Sequence, residues 1–326
     1  MGEKGDISAW QNTGPVGQPV WKKLGTIAVG VDGGRRENVR LANVNNDRRA
    51  DYLIMNPSTG ALDAWLNMPD LEVVGPNVRL ADIDGDGRDD YLYMDAVGGI
   101  RAWLNRGFVD HPDWVSIGLI APGVPGGSRE RIRLADMDGD GRDDYLVVAD
   151  NGAVTAWFNK GNIDHPAWNS AGVIAVGVDG ATLNNVRFAD IDGDGRADYC
   201  VIWNDGSVSA WLNKGDARSP TWENQGKIAV GVDGSARDNV FLEDLNGDGK
   251  ADYLMVTDKG AIYGWLNTGT DPKNIVWKNQ GMVASGVAGA TRQNIRFGNL
   301  DADGKFDYWL IDDAVGAMNV WVNSCV

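Results

Sequence analysis

The sequence predicts an all-β protein built from a repeated unit, and three observations support this. One segment recurs six times, with copies such as NVRLADIDGDGRDDYL from Asn77 and NVRFADIDGDGRADYC from Asn185. A second element, a small residue followed by Trp-x-Asn, recurs seven times, and a third, Trp followed by an Ile-Ala-x-Gly-Val-like stretch, recurs five times. The period is about 54 residues, and the repeats occupy nearly the whole chain, so we expect one domain over residues 1–326.

Each unit has the pattern of four short strands. In one copy, residues 78–82 alternate apolar and polar side chains, 91–94 form a short apolar run, and 100–104 mix β-branched and aromatic residues. The stretch 114–121 supplies the fourth strand, and turn formers such as Asp150-Asn-Gly separate the strands elsewhere. Four antiparallel strands at this period predict a β-propeller of four-stranded antiparallel blades, because blades arranged in a ring protect their edges.

The expected number of blades follows from the elements at the two ends of the chain. The chain opens with third- and fourth-strand elements (5–12 and 21–31) and closes with first, second and third strands that end at Asn323. The N-terminal strands are therefore expected to complete the last blade, so that N- and C-terminal strands close the ring. Six blades are favoured because the long segment has six copies, and the seventh Trp-x-Asn element leaves seven blades as the alternative.

The composition argues against several classes of protein. The chain is 43% hydrophobic, which rules out disorder, and no apolar run approaches the length of a membrane span. Its net charge of −16 argues against nucleic acid as a partner. With only two His and two Cys, a zinc, haem or iron–sulfur centre is not expected. The first residues lack the apolar region of a signal peptide.

An acidic loop joins the first and second strands of each unit, as in Asp82-x-Asp84-x-Asp86-Gly87-Arg88-x-Asp90. The alternate spacing places three side-chain oxygens around one point, and the Arg88 carbonyl and the Asp90 carboxylate complete an oxygen cage. Calcium favours such cages because it is a hard cation that accepts roughly six to eight oxygens in irregular geometry. We therefore predict about five structural Ca²⁺ sites. The predicted ligands are Asp82, Asp84, Asp86, Arg88 and Asp90; Asp136, Asp138, Asp140, Arg142 and Asp144; Asp190, Asp192, Asp194, Arg196 and Asp198; Asp244, Asn246, Asp248, Lys250 and Asp252; and Asn299, Asp301, Asp303, Lys305 and Asp307.

The copies of this loop differ in carboxylate content. The loops that begin at Asp82, Asp136 and Asp190 each offer four Asp side chains, and the two that follow offer three Asp and one Asn. The first copy, Asn43 to Asp51, has only two Asp, and Arg48 replaces the turn Gly, so we expect it to be empty or weak. Asp, Asn and Gly also form turns without a metal. A turn alone does not require four carboxylates within nine residues, however, and unneutralised carboxylates repel one another.

The acidic loop in combination with Trp-x-Asn resembles the FG-GAP/VCBS repeat propellers, as in integrin α-subunit heads. It resembles more closely the fungal propeller family that includes the Psathyrella-type mushroom lectin and the C-terminal modules of many secreted fungal hydrolases. The resemblance covers nearly the whole chain. It implies calcium in the loops between first and second strands and, in the lectin members, sugar sites between blades. That lectin type is seven-bladed and longer than this chain, so its ligand specificity is not carried over.

The leading functional hypothesis is a multivalent carbohydrate-binding, lectin-like module. The Gly-rich loops between fourth and first strands are expected to form polar clefts between blades, and weak sites on a rigid ring give avidity. Fourth-strand Trp residues offer an apolar face to a sugar ring. The predicted ligand-binding residues are Asp179, Asn185, Asp233, Asn239, Trp168 and Trp222. The expected partners are glycans or glycoproteins in an extracellular setting, where calcium is abundant enough to fill the loops.

Two other classes of function stay open. One is a protein-binding or adhesion scaffold, or an accessory module of a secreted enzyme. The other is a polysaccharide-active enzyme, whose signature would be a polar cluster that the repeat does not explain. The sequence shows no nucleophile elbow, no His-based triad and no isolated pair of acids, so we assign no catalytic residues and do not expect an enzyme.

Overall fold

The computed structural model of the chain describes residues 2–12, 21–28, 35–42, 51–59, 62–65, 75–107, 113–162, 166–215, 220–270 and 274–324. It consists of two compact units, Met1–Leu71 and Glu72–Val326. The expectation of a single domain over residues 1–326 stays a prediction. Among the described residues, no helix has the length and apolar character that crossing a membrane requires.

The first unit contains antiparallel strands in two sheets. Strand β1 (Ile7–Asn12) pairs with β2 (Trp21–Ala28). Strands β3 (Val39–Ala42), β4 (Asp51–Met55) and β5 (Leu62–Trp65) form a three-stranded sheet. The Tyr52 hydroxyl donates a hydrogen bond to the Gly5 carbonyl at 3.1 Å within this unit. The acidic loop of this unit, residues 43–50, lies outside the described residues, so its expected weak occupancy stays a prediction.

The second unit contains five propeller blades, each an antiparallel sheet whose strands pair in sequence order. Blade 1 consists of β6 (Val78–Ala81), β7 (Asp90–Met94), β8 (Ile100–Asn105) and β9 (Trp114–Ala121). Blade 2 consists of β10 (Ile132–Ala135), β11 (Asp144–Val148), β12 (Val154–Asn159) and β13 (Trp168–Ala175). Blade 3 consists of β14 (Val186–Ala189), β15 (Asp198–Ile202), β16 (Val208–Asn213) and β17 (Trp222–Ala229). Blade 4 consists of β18 (Val240–Glu243), β19 (Asp252–Val256), β20 (Ile262–Asn267) and β21 (Trp277–Ala284). Blade 5 is the three-stranded sheet β22 (Ile295–Gly298), β23 (Asp307–Ile311) and β24 (Met318–Trp321), and 3-10 turns precede blades 1 and 4 at Gly75–Asn77 and Arg237–Asn239.

The prediction of six blades, with seven as the alternative, is wrong: the part of the chain that the structure describes forms five. The sequence does contain six long segments, but their number overestimates the blades. The first copy lies in the other unit, where the repeat after Asn67 is shortened. Within the second unit, the Asp89 amide of blade 1 donates to the Asn299 carbonyl of blade 5 at 2.7 Å, so these two blades contact each other directly. The predicted closure by N- and C-terminal strands would involve both units and stays a prediction.

The hydrophobic core lies between adjacent blades. Strand β12 alternates in burial, and its inward residues Val154, Ala156 and Phe158 pack against Val186 and Val201 of the next blade. The sheets also meet through tyrosine hydroxyls, because the second-strand Tyr of each blade donates to a Gly carbonyl of the preceding blade. These pairs are Tyr91–Gly316, Tyr145–Gly98, Tyr199–Gly152, Tyr253–Gly206 and Tyr308–Gly260.

Candidate functional site

In four of the five acidic loops of the second unit, the first residue is an Asp that shapes the loop. One carboxylate oxygen of Asp82 accepts the Gly85 amide at 2.7 Å, and the other accepts the Gly87 amide at 2.8 Å. Both glycines have φ above +80°, a conformation that costs glycine little and other residues more. Burial raises the pKa of Asp82 to about 6, although these two amide bonds oppose the shift. The same pair of bonds recurs at Asp136, Asp190 and Asp244.

The last Asp of each loop fixes two backbone segments. One oxygen of Asp198 accepts the Ile191 amide at 2.8 Å, and the other accepts the Asn213 amide at 2.7 Å. Burial raises the pKa of Asp198 to about 8. The equivalent residues Asp90, Asp144, Asp252 and Asp307 make the same pair of bonds. The oxygens of the last Asp are therefore committed to the backbone as well as being predicted calcium ligands.

The three loops with four Asp bring carboxylates together in a way that suits a cation. One oxygen from each of three Asp residues lies within 4.8 Å of the other two, in the groups Asp82–Asp84–Asp86, Asp136–Asp138–Asp144 and Asp190–Asp192–Asp194. The Asp138 side chain is only 1% exposed, and its Oδ1 atom is buried without a hydrogen-bond partner. Asp192 Oδ1 is in the same state. A buried carboxylate oxygen without a partner is costly, and a hard cation would satisfy it. The residues therefore fit a calcium ion, and the individual ligands stay predictions.

The Asn of each Trp-x-Asn element ties an acidic loop to the neighbouring blade. Asn213 Nδ2 donates to the Met137 carbonyl in the acidic loop of the preceding blade, at 2.8 Å. The equivalent pairs are Asn105–Leu300, Asn159–Ile83, Asn267–Ile191 and Asn323–Leu245. The repeated Asn is visible in the sequence, but its partner lies in another blade and only the fold reveals it.

Two equivalent aromatic clefts lie between blades 1 and 2 and between blades 2 and 3. The second is a cavity of about 170 Å³, lined by residues 175–178 of blade 2 and by Tyr199, Trp211 and Trp222 of blade 3. Tyr199 meets both indoles edge-on with ring centroids 5.8 Å apart, and Trp222 Nε1 donates to the Ile174 carbonyl at 2.8 Å. The first cleft has a volume of about 180 Å³ and is lined by Tyr145, Trp157, Trp168 and residues 121–124.

The structure separates the predicted ligand-binding residues into three kinds. Trp168 and Trp222 line the clefts. Asn185 accepts the Thr182 amide at 2.6 Å and donates to the Gly180 carbonyl at 3.0 Å, so its side chain holds its own loop together. Asn239 bonds in the same way to residues 236 and 234. Asp179 and Asp233 are exposed, and Asp179 directly follows the lining of the second cleft.

A third cavity of about 370 Å³ lies among the first strands of all five blades and contains acids that the repeat does not explain. Asp89, Asp143 and Glu243 line it. Other blades have Ala197, Ala251 and Phe306 at the position of the two Asp, and Ala or Gly at the position of Glu243. No acid of this group was predicted as a site residue, although these departures from the repeat are a signal in the sequence that points to it. Burial raises the pKa of Asp89 to about 7.

Glu243→Gln is expected to stabilise the protein at alkaline pH. Burial, with the charges of Asp89 and Asp244, raises the pKa of Glu243 to about 8. A raised carboxyl pKa means that the folded state loses stability as the pH rises from the unfolded pKa through 8, because ionisation is then costly. Glu243 is half-buried beside a cavity, so solvent reduces the gain from the variant to about 2 kcal/mol at pH 9.

Urea unfolding of chelator-treated protein at pH 5 and pH 9 measures this effect. The difference between Glu243→Gln and the unmodified protein should grow from pH 5 to pH 9. Glu37→Gln, which removes an exposed carboxylate, is the control and should show no such growth. Equal differences at both pH values would mean that Glu243 ionises as easily in the folded as in the unfolded state.

Comparison with known proteins identifies the repeat. The FG-GAP-like repeat family matches this chain twice, over residues 82–147 and 136–201. No curated protein sequence matches the chain. Among solved structures, the chain is similar to a lectin from Agrocybe aegerita described as recognising non-reducing terminal N-acetylglucosamine, with 21% identity over 98% of this chain and 82% of that chain and a TM-score of 0.42.

Two further solved structures show similar or weaker likeness. The Photorhabdus luminescens Tc holotoxin pore is 18% identical over 87% of this chain but only 14% of its own, with a TM-score of 0.42. A protein from Lactobacillus plantarum is 12% identical over 87% of this chain and 80% of its own, with a TM-score of 0.37. At these identities and TM-scores no function is transferred to this chain. The matched family model and the blades together show that residues 82–201 consist of FG-GAP-like repeats within a β-propeller arrangement.

Proposed function

We propose that this protein is a calcium-stabilised β-propeller that binds carbohydrate through several clefts between its blades. The observation that carries the proposal is the aromatic cleft, built twice from equivalent residues at successive blade junctions. Each cleft combines a Tyr and two Trp rings with backbone of the preceding blade. Aromatic faces suit the apolar C–H faces of a sugar, and the exposed Asp179 offers a hydrogen-bond acceptor for hydroxyls beside one of them.

The size and rigidity of the clefts favour a small part of a glycan as ligand. Their volumes are below the roughly 300–1,000 Å³ of sites for drug-sized ligands, which suits one terminal sugar. The rings are held edge-on by one another, and the Trp168 indole donates to the Ile120 carbonyl at 2.7 Å, so the surface is formed before binding. Repeated weak sites on one rigid body gain affinity for multivalent glycans through avidity. The proposal includes an extracellular setting with glycans or glycoproteins as partners.

Val176→Arg is expected to block the cleft between blades 2 and 3 without disturbing the fold. Val176 belongs to the lining of that cleft, yet its side chain is 81% exposed, so a larger residue closes the mouth at little cost in packing. A glycan array first identifies a ligand. Calorimetric titration with that ligand should then show one site fewer, or at least tenfold weaker binding at one site. Val173→Arg, at an exposed valine outside the lining, is the matched control.

Two outcomes would contradict the proposal. If the protein binds no glycan on a broad array, carbohydrate binding is wrong. If a glycan binds but Val176→Arg and Val173→Arg leave the same number of sites as the unmodified protein, the ligand binds elsewhere.

A second candidate function, a polysaccharide-active enzyme, is favoured by the three acids of the central cavity. Glycoside hydrolysis generally uses a pair of carboxyl groups, one of them with a raised pKa. Burial raises the pKa of Asp143 well above its usual value, as it does for Asp89 and Glu243. Release of reducing sugar ends from polysaccharides, lost in Glu243→Gln while glycan binding persists, would favour this function over binding alone.

A further inference from the structure

A basic side chain reaches into each of the three loops that have four Asp. Lys160 Nζ lies 2.8 Å from Asp140 Oδ2 and also contacts Asp138. Lys214 Nζ lies 2.9 Å from Asp194 Oδ2 and also contacts Asp192. In the loop that begins at Asp82, Arg106 takes this place, with its guanidinium 2.7 Å from Asp84. All three directly follow the Asn of Trp-x-Asn, so each reaches the equivalent position beside the acidic loop of its own blade.

These cations lie against carboxylates that the sequence predicts as metal ligands. The second Asp of each loop is only 1–2% exposed, and the basic side chain is the cation that approaches its Oδ2 atom. The Lys160 and Lys214 side chains are themselves 33% and 34% exposed, so each has a path to solvent. Burial alone would lower the pKa of Lys160, but hydrogen bonds to Asp138 and Asp140 raise it above the usual value.

The charges of the five loops of the second unit follow a common rule. Each loop has one basic residue directly after the Gly that follows its third ligand position, such as Arg142, which lies 2.7 Å from Asp140. Loops with four carboxylates add the second cation just described, and loops with three carboxylates do not, because Thr268 and Ser324 stand in its place. At the predicted ligand positions, and without Asp89 and Asp143, which line the central cavity, four carboxylates with two cations and three carboxylates with one cation both leave a formal charge of −2. All five loops therefore keep a net negative charge that attracts a divalent ion.

The first copy of the loop supports the same rule from sequence alone. It carries Asp47 and Asp51 against Arg48 and Arg49, a formal charge of zero. A divalent ion would leave this loop with an excess of positive charge. This agrees with the expectation that the first copy is empty or weak.

We propose that Arg106, Lys160 and Lys214 are tethered counter-ions that occupy three of the cation sites until a divalent ion displaces them. The inference rests on the proposed calcium binding, and adds that the chain carries its own competitor for the metal. A tethered cation and a divalent ion a few ångströms apart would repel strongly, so one leaves when the other binds. The three loops with most carboxylates therefore stay partly neutralised without metal, and their calcium affinity is lower than their carboxylate content suggests.

Lys160→Met and Lys214→Met test the inference, with Lys278→Met as the matched control. Lys278 is an exposed lysine on β21, outside the loops. Calorimetric titration of chelator-treated protein with calcium chloride should show at least tenfold tighter binding at one site in each loop variant, and no change in the control. The Tm of the metal-free loop variants should fall below that of the control, because Asp138 or Asp192 then loses the ammonium group that contacts it. Thr268→Lys should show the reverse, at least tenfold weaker binding at the fourth loop.

The outcomes separate this inference from the proposed function. If the unmodified protein and the variants all bind no calcium, the proposed metal binding fails and displacement fails with it. If the unmodified protein binds calcium and Lys160→Met binds it with the same affinity, displacement alone is wrong. If the metal-free Tm of Lys160→Met equals that of Lys278→Met, the lysine does not neutralise the loop.

Discussion

Addition of calcium to the chelator-treated protein is expected to raise its Tm by more than about 10 °C. A site saturated at about 100 times its Kd adds about 2.7 kcal/mol to the folded state, so five sites add about 13 kcal/mol. Each kcal/mol moves the Tm of a domain of this size class by about 2 °C. The physical source is the repulsion among carboxylates that burial has partly removed from water, which a calcium ion relieves. The pKa values of Asp82 and Asp190, both raised by burial to about 6, show this loss of solvation.

Scanning calorimetry with and without excess chelator measures this effect on protein shown by elemental analysis to be free of metal. Asp192→Asn should lose about one site's share of the increase, since its side chain is buried in the third loop. Asp258→Asn, an exposed acid with a side chain that is 86% accessible, should lose none. A melting curve that calcium does not move would show that the loops are turns that hold no ion.

The strands were predictable because the same pattern of apolar and polar residues recurs in every repeat. Alternation over residues 78–82 and the apolar run at 91–94 correspond to β6 and β7 within a few residues. The sharp turn of the acidic loop was predictable from its Gly residues, because φ values such as +81° at Gly85 favour glycine over other residues. Local periodicity and turn chemistry are therefore sufficient for the blades.

The number of blades and the true contacts of the site were not predictable, because both depend on which blade lies next to which. The direct bond between Asp89 and Asn299 determines that blades 5 and 1 meet, and nothing within either repeat specifies it. The same holds for Lys160, which is separated from Asp138 by 22 residues and reaches it only through the fold. The hydrogen bond from the Thr182 amide to Asn185 is a further contact that the sequence does not reveal, and the role of Asn185 as a sugar ligand stays a prediction.

Asp198→Ala is expected to lower the free energy of unfolding by about 4 kcal/mol, with or without calcium. The change leaves the buried amides of Ile191 and Asn213 without their acceptor. Each orphaned buried group costs about 1–3 kcal/mol. Asn213 also supplies the side-chain bond to the Met137 carbonyl of blade 2, so the loss extends to a blade junction. Asp179→Ala, an exposed acid, should change stability by less than about 0.5 kcal/mol and is the control.

Urea unfolding in chelator and in calcium distinguishes the two roles assigned to Asp198. A structural acceptor matters in both conditions, whereas a residue that acts only as a metal ligand matters only when calcium is present. Asp192→Ala provides the contrast, because Asp192 Oδ1 has no hydrogen-bond partner in the protein. In chelator this variant loses only the ion pair with Lys214, so its loss of stability should be clearly larger in calcium than in chelator. A loss below about 1 kcal/mol for Asp198→Ala in chelator would show that the two amides find other partners. If Asp198→Ala lowers the free energy of unfolding in both conditions, the main role of the last Asp of each loop is to hold the blade junction. A metal ion then binds a carboxylate that the fold already requires.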